Sequence, residues 1–123
     1  MKVLNFEDSV YKANAIRKVL NQCGVTKIEL VSNVEDGLQM LKNAEDTGEP
    51  FDLIITDMHY PMKQGAVSDT EAGEKLVQLL QEQGKQTKVI VCSSRNMKLP
   101  GVYGCIWYSE ISDWEEELCD LVR

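Results

Sequence analysis

The chain has 123 residues, of which 43% are hydrophobic and 27% charged, and its formal net charge is -7. That length accommodates one hydrophobic core, and the acidic balance excludes a general nucleic-acid surface, which is basic. No apolar stretch reaches membrane-span length and no signal-peptide pattern opens the chain, so a cytoplasmic protein without membrane contact is expected.

Short apolar runs alternate with helical spacing. Val3-Leu4 has strand character and leads into Glu7 and Asp8. Val10, Ala13, Ile16, Leu20 and Cys23 then recur every three or four residues, lining one face of a helix that Ser9 caps and Gly24 ends. A second strand over 28–31 precedes a helix opening at Ser32, with Glu35 in capping-box position and Val34, Leu38 and Leu41 on one face. The third strand, Leu53-Ile54-Ile55, ends at Asp57. Ser68 and Glu71 repeat the box before Ala72, Leu76 and Leu79, and Gly84 closes that helix. The fourth strand, 89–92, runs into Ser93 and Ser94, and the fifth, 105–107, ends at Tyr108. Ser112 and Glu115 open a last helix carrying Leu118 and Leu121.

This alternation predicts a doubly wound α/β protein: a five-stranded parallel sheet with helices on both faces and right-handed crossovers. In such sheets functional groups gather beyond the carboxyl ends of the strands, where strand order reverses. Glu7, Asp8, Asp57, Ser93 and Tyr108 all fall at strand ends. Taken singly, Asp8 reads as a helix cap, Glu7 as a solvated acid and Asp57 as a turn residue completed by Pro61. Taken together they read differently. Two carboxylates about 4 Å apart repel by about 4 kcal/mol at an effective dielectric near 20. Three converging acids therefore call for a cation or a proton, and oxygen donors with retained waters suit Mg²⁺.

The four cysteines, Cys23, Cys92, Cys105 and Cys119, show no CxxC spacing. Three sit among apolar neighbours, and reduced, buried thiols are expected in place of a metal site or disulfide framework.

Three stretches, "VLNFEDS", "DLIITDMHYP" and "KVIVCSS", make the whole chain resemble a response-regulator receiver domain of bacterial two-component signalling. The resemblance implies the flavodoxin-like strand order 2-1-3-4-5 and a stand-alone receiver over residues 1–123 with no output domain. Asp57 would be the phosphoacceptor, charged from a sensor histidine kinase, a phosphotransfer protein or a small phosphodonor. Mg²⁺ would be held by Asp8, Asp57 and the backbone carbonyl of His59, with Glu7 acting through water. Ser93 would be the switch hydroxyl that bonds the phosphoryl group. Slow self-hydrolysis would be the limit of any enzymatic activity, and the output would pass through protein contacts.

The chain also departs from that pattern. Tyr108 stands at the position of the family's lysine, followed by Ser109 where a proline is usual. A phenol brings no positive charge at neutral pH. No lysine is expected nearby, since Lys98 precedes the strand, and Arg95 is the nearest cation from the opposite loop. Cys105 falls where an aromatic switch residue is usual, leaving Tyr103, Trp107 or Tyr108 as substitutes. "SRNMKLPGVYG" is too short for the family's fourth helix, and Pro100-Gly101 would break one, so that helix is predicted to be shortened or missing. "MKQGAVSD", residues 62–69, reads as an insertion that makes Gly73, in preference to Gly65, the family's glycine before the third helix. His59, the only histidine, is expected to line the mouth of the site. The competing reading is a pseudo-receiver, a protein-interaction module working without phosphorylation. A flavodoxin-like redox or hydrolase site is disfavoured because "FEDSVYK" lacks a phosphate cradle.

Overall fold

The computed structural model describes all 123 residues. Strand β1 (Lys2–Phe6) is followed by α1 (Val10–Gln22), β2 (Lys27–Val31), α2 (Val34–Asp46) and β3 (Leu53–Thr56). Two short strands, β4 (Tyr60–Pro61) and β5 (Ser68–Asp69), precede α3 (Ala72–Glu82), β6 (Lys88–Ser93), β7 (Gly104–Trp107) and α4 (Trp114–Val122). The five long strands form one parallel sheet in the order β2-β1-β3-β6-β7. Counting only these five, that is the expected 2-1-3-4-5, and all five apolar runs lie within them.

Alternation along the central strands sends side chains to two separate cores. Leu4, Phe6 and Ile54 pack against α2 and α3 through Val34, Leu41, Leu76 and Leu80. Val3, Leu53 and Ile55 pack against α1 and α4 through Ile16, Leu20, Trp114 and Leu118. With both faces covered, β3 is apolar at Leu53, Ile54 and Ile55 without interruption, as a doubly buried parallel strand should be. Ile54 is fully buried, and truncating such a residue to alanine costs about 2–5 kcal/mol.

The helix starts correct the capping assignments in three places. Asn33, not Ser32, caps α2: its Oδ1 accepts from Asp36 N–H at 2.8 Å while its Nδ2 donates to Asp36 Oδ2. Ser68 belongs to β5, and α3 starts at Ala72 with no side-chain cap. Ser112 caps nothing; its hydroxyl donates to Trp107 O at 2.6 Å, pinning the turn after β7. Ser9 does cap α1, accepting from Lys12 N–H at 3.3 Å.

Between β6 and β7 the chain crosses over without any helix, which is the missing helix the short, proline-containing segment predicted. Parallel strands are usually joined through a helix. Here Leu99 and Val102 fold onto the α2/α3 core instead, and Tyr103 N–H donates to Val89 O at 2.8 Å. The segment read as an insertion closes as a hairpin: Tyr60 pairs with Asp69 and Pro61 with Ser68, antiparallel.

Cys23 and Cys119 form a disulfide, which corrects the expectation of four reduced thiols. Cys23 ends α1 and Cys119 lies in α4; both helices pack on the same sheet face, and their Cα atoms stand 5.7 Å apart, within bridging range. A separation of 96 residues hides that proximity from the sequence. Cys92 and Cys105 are free.

Candidate functional site

Chain order reverses between β1 and β3, so Glu7, Asp8 and Asp57 leave the sheet side by side at its switch point. One carboxylate oxygen from each lies within 4.8 Å of the others. They differ in exposure: Glu7 is buried, Asp57 half-buried and Asp8 exposed. Backbone pairing fixes the two strand exits, with Glu7 N–H donating to Val31 O at 2.9 Å and Asp57 N–H to Phe6 O at 3.1 Å.

The loop after Asp57 is held closely. Asp57 Oδ1 accepts from Met58 N–H at 2.7 Å, and the fully buried Tyr60 shares a 2.8 Å hydrogen bond with Thr56 Oγ1. Gly73, at the start of α3, donates its N–H to Met58 O at 3.2 Å. A Cβ there would collide with the backbone carbonyl of Asp57, so only glycine lets α3 approach the loop after Asp57 this closely. Gly65 lies in the hairpin loop with a positive φ of 81°, and a Cβ there would meet only open space.

Ser93 ends β6, buried, its Oγ accepting from Arg95 N–H at 3.1 Å. With Ser94, Arg95, Thr70, His59 and Asp57 it lines a cleft of about 230 Å³. His59 is exposed and sits at this mouth. The Arg95 guanidinium turns to the segment before α3, donating to Thr70 O at 2.9 Å and lying 3.6 Å from Glu71 Oε1.

Among the aromatic candidates on and flanking β7, Trp107 is the one whose side chain bonds the Ser93 loop, its Nε1–H donating to Ser94 O at 3.1 Å. Tyr103 lies under Lys88, and Cys105 Sγ accepts from Leu99 N–H. Tyr108 presents its ring to the site: it packs against Trp114 at 4.9 Å between centroids, and its backbone N–H donates to Ser93 O at 2.7 Å. Burial pushes the Tyr108 phenol further above its ordinary range, with Tyr11 adding to the shift.

The residue that sequence reasoning missed is Lys12. Although no lysine was expected at the site, this one, 7% exposed, extends from α1 into the acid cluster. Its Nζ lies 3.0 Å from Glu7 Oε1 and 3.2 Å from Asp57 Oδ1, and it donates to Cys92 O at 2.5 Å. It also stands 5.2 Å from the centroid of the Tyr108 ring. The signal lay in helical phase: residues 12, 16, 19 and 20 form the buried stripe of α1, whereas Val10 is exposed. Burial opposes the charge on Lys12, but Cys92, Glu7 and Asp57 outweigh it and leave the pKa above the ordinary value. Burial pushes the Cys92 thiol itself up to about 12, so near neutral pH the thiol is uncharged and the carboxylates hold the ammonium. Burial likewise raises Glu7; Lys12 opposes that shift and Asp57 adds to it.

The donor set fits a hard divalent cation. Glu7 Oε2 accepts from Ser9 N–H at 3.0 Å, while buried Oε1 has Lys12 as an ion-pair neighbour but no hydrogen bond of proper geometry. A buried carboxylate oxygen left in this state has capacity for another ligand. Three carboxylates and one ammonium sum to two negative charges, which one Mg²⁺ would balance.

No protein-family model matches the chain, and no curated protein matches it in sequence. Solved structures do match. A response regulator of red light signaling in R. palustris superposes with a TM-score of 0.71 at 19% identity, covering 98% of this chain and 90% of that one. The chemotaxis protein CheY4 of Vibrio cholerae gives 0.69 at 21% identity over 99% and 96% of the two chains. The receiver domain of a Pseudomonas aeruginosa sensor histidine kinase, solved with magnesium in its active-site cleft, gives 0.63 at 19% identity over 98% and 93%. The fold is that of receiver domains.

Proposed function

We propose that the protein is a receiver that accepts a phosphoryl group on Asp57 with Mg²⁺ and signals through protein contacts in a two-component phosphorelay. The convergence of Glu7, Asp8 and Asp57 at the switch point of this fold carries the reading. In the transfer step a carboxylate oxygen of Asp57 forms a bond to phosphorus. The bond from phosphorus to the donor breaks, and its electron pair leaves with the donor, which is acetate when the donor is acetyl phosphate. Asp8, Asp57 and the His59 carbonyl would hold the cation, with Glu7 acting through water; when bound, it neutralises charge on the phosphoryl oxygens. The protein's own groups do the positioning. Met58 N–H fixes the Asp57 carboxylate from one side, and the Ser93 hydroxyl faces the same cleft from β6.

The donor would be a sensor histidine kinase or a phosphotransfer protein, the class to which two of the matching solved receiver domains, those of histidine kinases, point. A cytoplasmic setting suits such partners, and no helix is long and apolar enough to cross a membrane. Intact-mass measurement after incubation with acetyl phosphate and Mg²⁺ tests the reading. The expected result is a gain of one phosphoryl group, lost in Asp57→Asn and on chelation of Mg²⁺. The helix-free crossover between β6 and β7 favours a second reading, a phosphate-independent interaction module. That reading stands if no phosphoryl group is gained under any condition.

A further inference from the structure

We propose that Lys12, delivered from the first turn of α1, is the phosphoryl-binding cation of this site and replaces the positive charge that β7 lacks at Tyr108. The inference rests on the acceptor reading above and deepens it.

The geometry singles out this lysine. Its ammonium touches groups at the ends of three neighbouring strands: Glu7 after β1, Asp57 after β3 and the carbonyl of Cys92 in β6. The Cys92 carbonyl belongs to the residue just before Ser93, so the cation touches both the acceptor carboxylate and the strand that carries the hydroxyl. The Tyr108 ring, backed by Trp114, lies beside the ammonium from β7. An aromatic face at that distance favours a cation and supplies none. Arg95, the other candidate, is engaged with Thr70 and Glu71 on the far rim of the cleft.

Burying a lysine among carboxylates is a poor way to gain stability, since desolvation largely offsets the Coulomb attraction. A position on the apolar stripe of α1 would hold the fold with leucine or methionine. What lysine adds is charge at the reacting oxygen. Transfer turns a singly charged carboxylate into a dianionic acyl phosphate. An ammonium 3.2 Å from Asp57 Oδ1 already contacts the carboxylate that would carry the phosphoryl group, so its charge stands at the reacting residue without any movement of the backbone.

The test compares the unaltered protein with Lys12→Met, Tyr108→Lys and the double variant Lys12→Met/Tyr108→Lys. Phosphorylation by acetyl phosphate is followed by intact mass, and Mg²⁺ binding by tryptophan fluorescence. Lys12→Met is expected to slow phosphorylation by about tenfold or more, and to tighten Mg²⁺ because the acids lose their counter-ion. The double variant, with the lysine returned to the strand, is expected to recover most of the rate. Phosphorylation of Lys12→Met at an unchanged rate, or no recovery in the double variant, overturns the proposal and leaves the acceptor reading intact. Failure of the unaltered protein to gain a phosphoryl group overturns both. The unaltered protein offers a check that does not depend on the variants folding: addition of fluoroberyllate with Mg²⁺ should shift the NMR resonances of the Lys12 side-chain terminus. An unmoved resonance with fluoroberyllate bound also overturns the proposal.

Discussion

At the ends of β1 and β3 three acids converge, as the resemblance to receivers implies; at the ends of β6 and β7 the chain departs from that resemblance twice. The second half has no helix in its crossover and, by the same resemblance, a tyrosine where a lysine is usual. Side-chain length accounts for the contrast. A carboxylate on one or two methylenes reaches a shared point only from a narrow range of backbone positions, so acids that meet must leave from particular strand ends. An ammonium on four methylenes reaches the same point from several elements. Lys12 reaches it from a helix, and β7 contributes an aromatic wall instead.

Cutting the link between the two halves should have the largest effect. The Cys23–Cys119 disulfide ties α1, which carries Lys12, to α4, which follows β7. Replacing both cysteines with serine is expected to lower the unfolding free energy by about 2–5 kcal/mol, measured by urea denaturation with and without reductant. Gly73→Ala strikes the intact half, since its Cβ meets the Asp57 carbonyl; a loss of about 1–3 kcal/mol is expected in the same assay. Asp8→Asn removes the exposed acid of the cluster and should weaken Mg²⁺ binding by about tenfold or more, read by fluorescence titration. Arg95→Ala, on the rim of the rebuilt half, should change stability by less than about 0.5 kcal/mol and leave phosphorylation near its original rate.

The smallest effect belongs to the hairpin beside the site. The hydrogen bond from Lys75, helped by Glu71 N–H, holds the Asp69 carboxyl below its ordinary pKa. Because the folded value is depressed, the contact stabilises the protein above the ordinary carboxyl range and is lost as pH falls through the lowered value. Amide shifts of residues 60–69 should titrate in that acidic window, and Lys75→Met should move the midpoint upward.

These contrasts also mark what the sequence could convey. All five strands of the main sheet were legible as apolar runs of strand length, most directly the buried β1, β3 and β6, and Glu7, Asp8 and Asp57 were legible as residues following such runs. Lys12 was not. A lysine on a helix reads as solvated until the helical phase is known to within one residue, and Val10 suggested the wrong phase. The disulfide and the hairpin depend on contacts distant in the chain or on two-residue pairings too short to carry a period. The cap of α2 shifted by one position because Ser32 and Asn33 are both competent caps, and only the strand exit decides between them.

Lys12 is the third residue of α1 and stands at the end of the helix where the peptide dipoles sum to a partial positive charge. A helix built for its own stability would carry glutamate there, completing a capping box with Ser9. The cation works against the macrodipole by about 0.3–1 kcal/mol, and the basic stem is retained by what it touches across the cleft. The opening turn of α1 is therefore held from two sides, by the Ser9 cap within the chain and by the anions that Lys12 meets across the cleft.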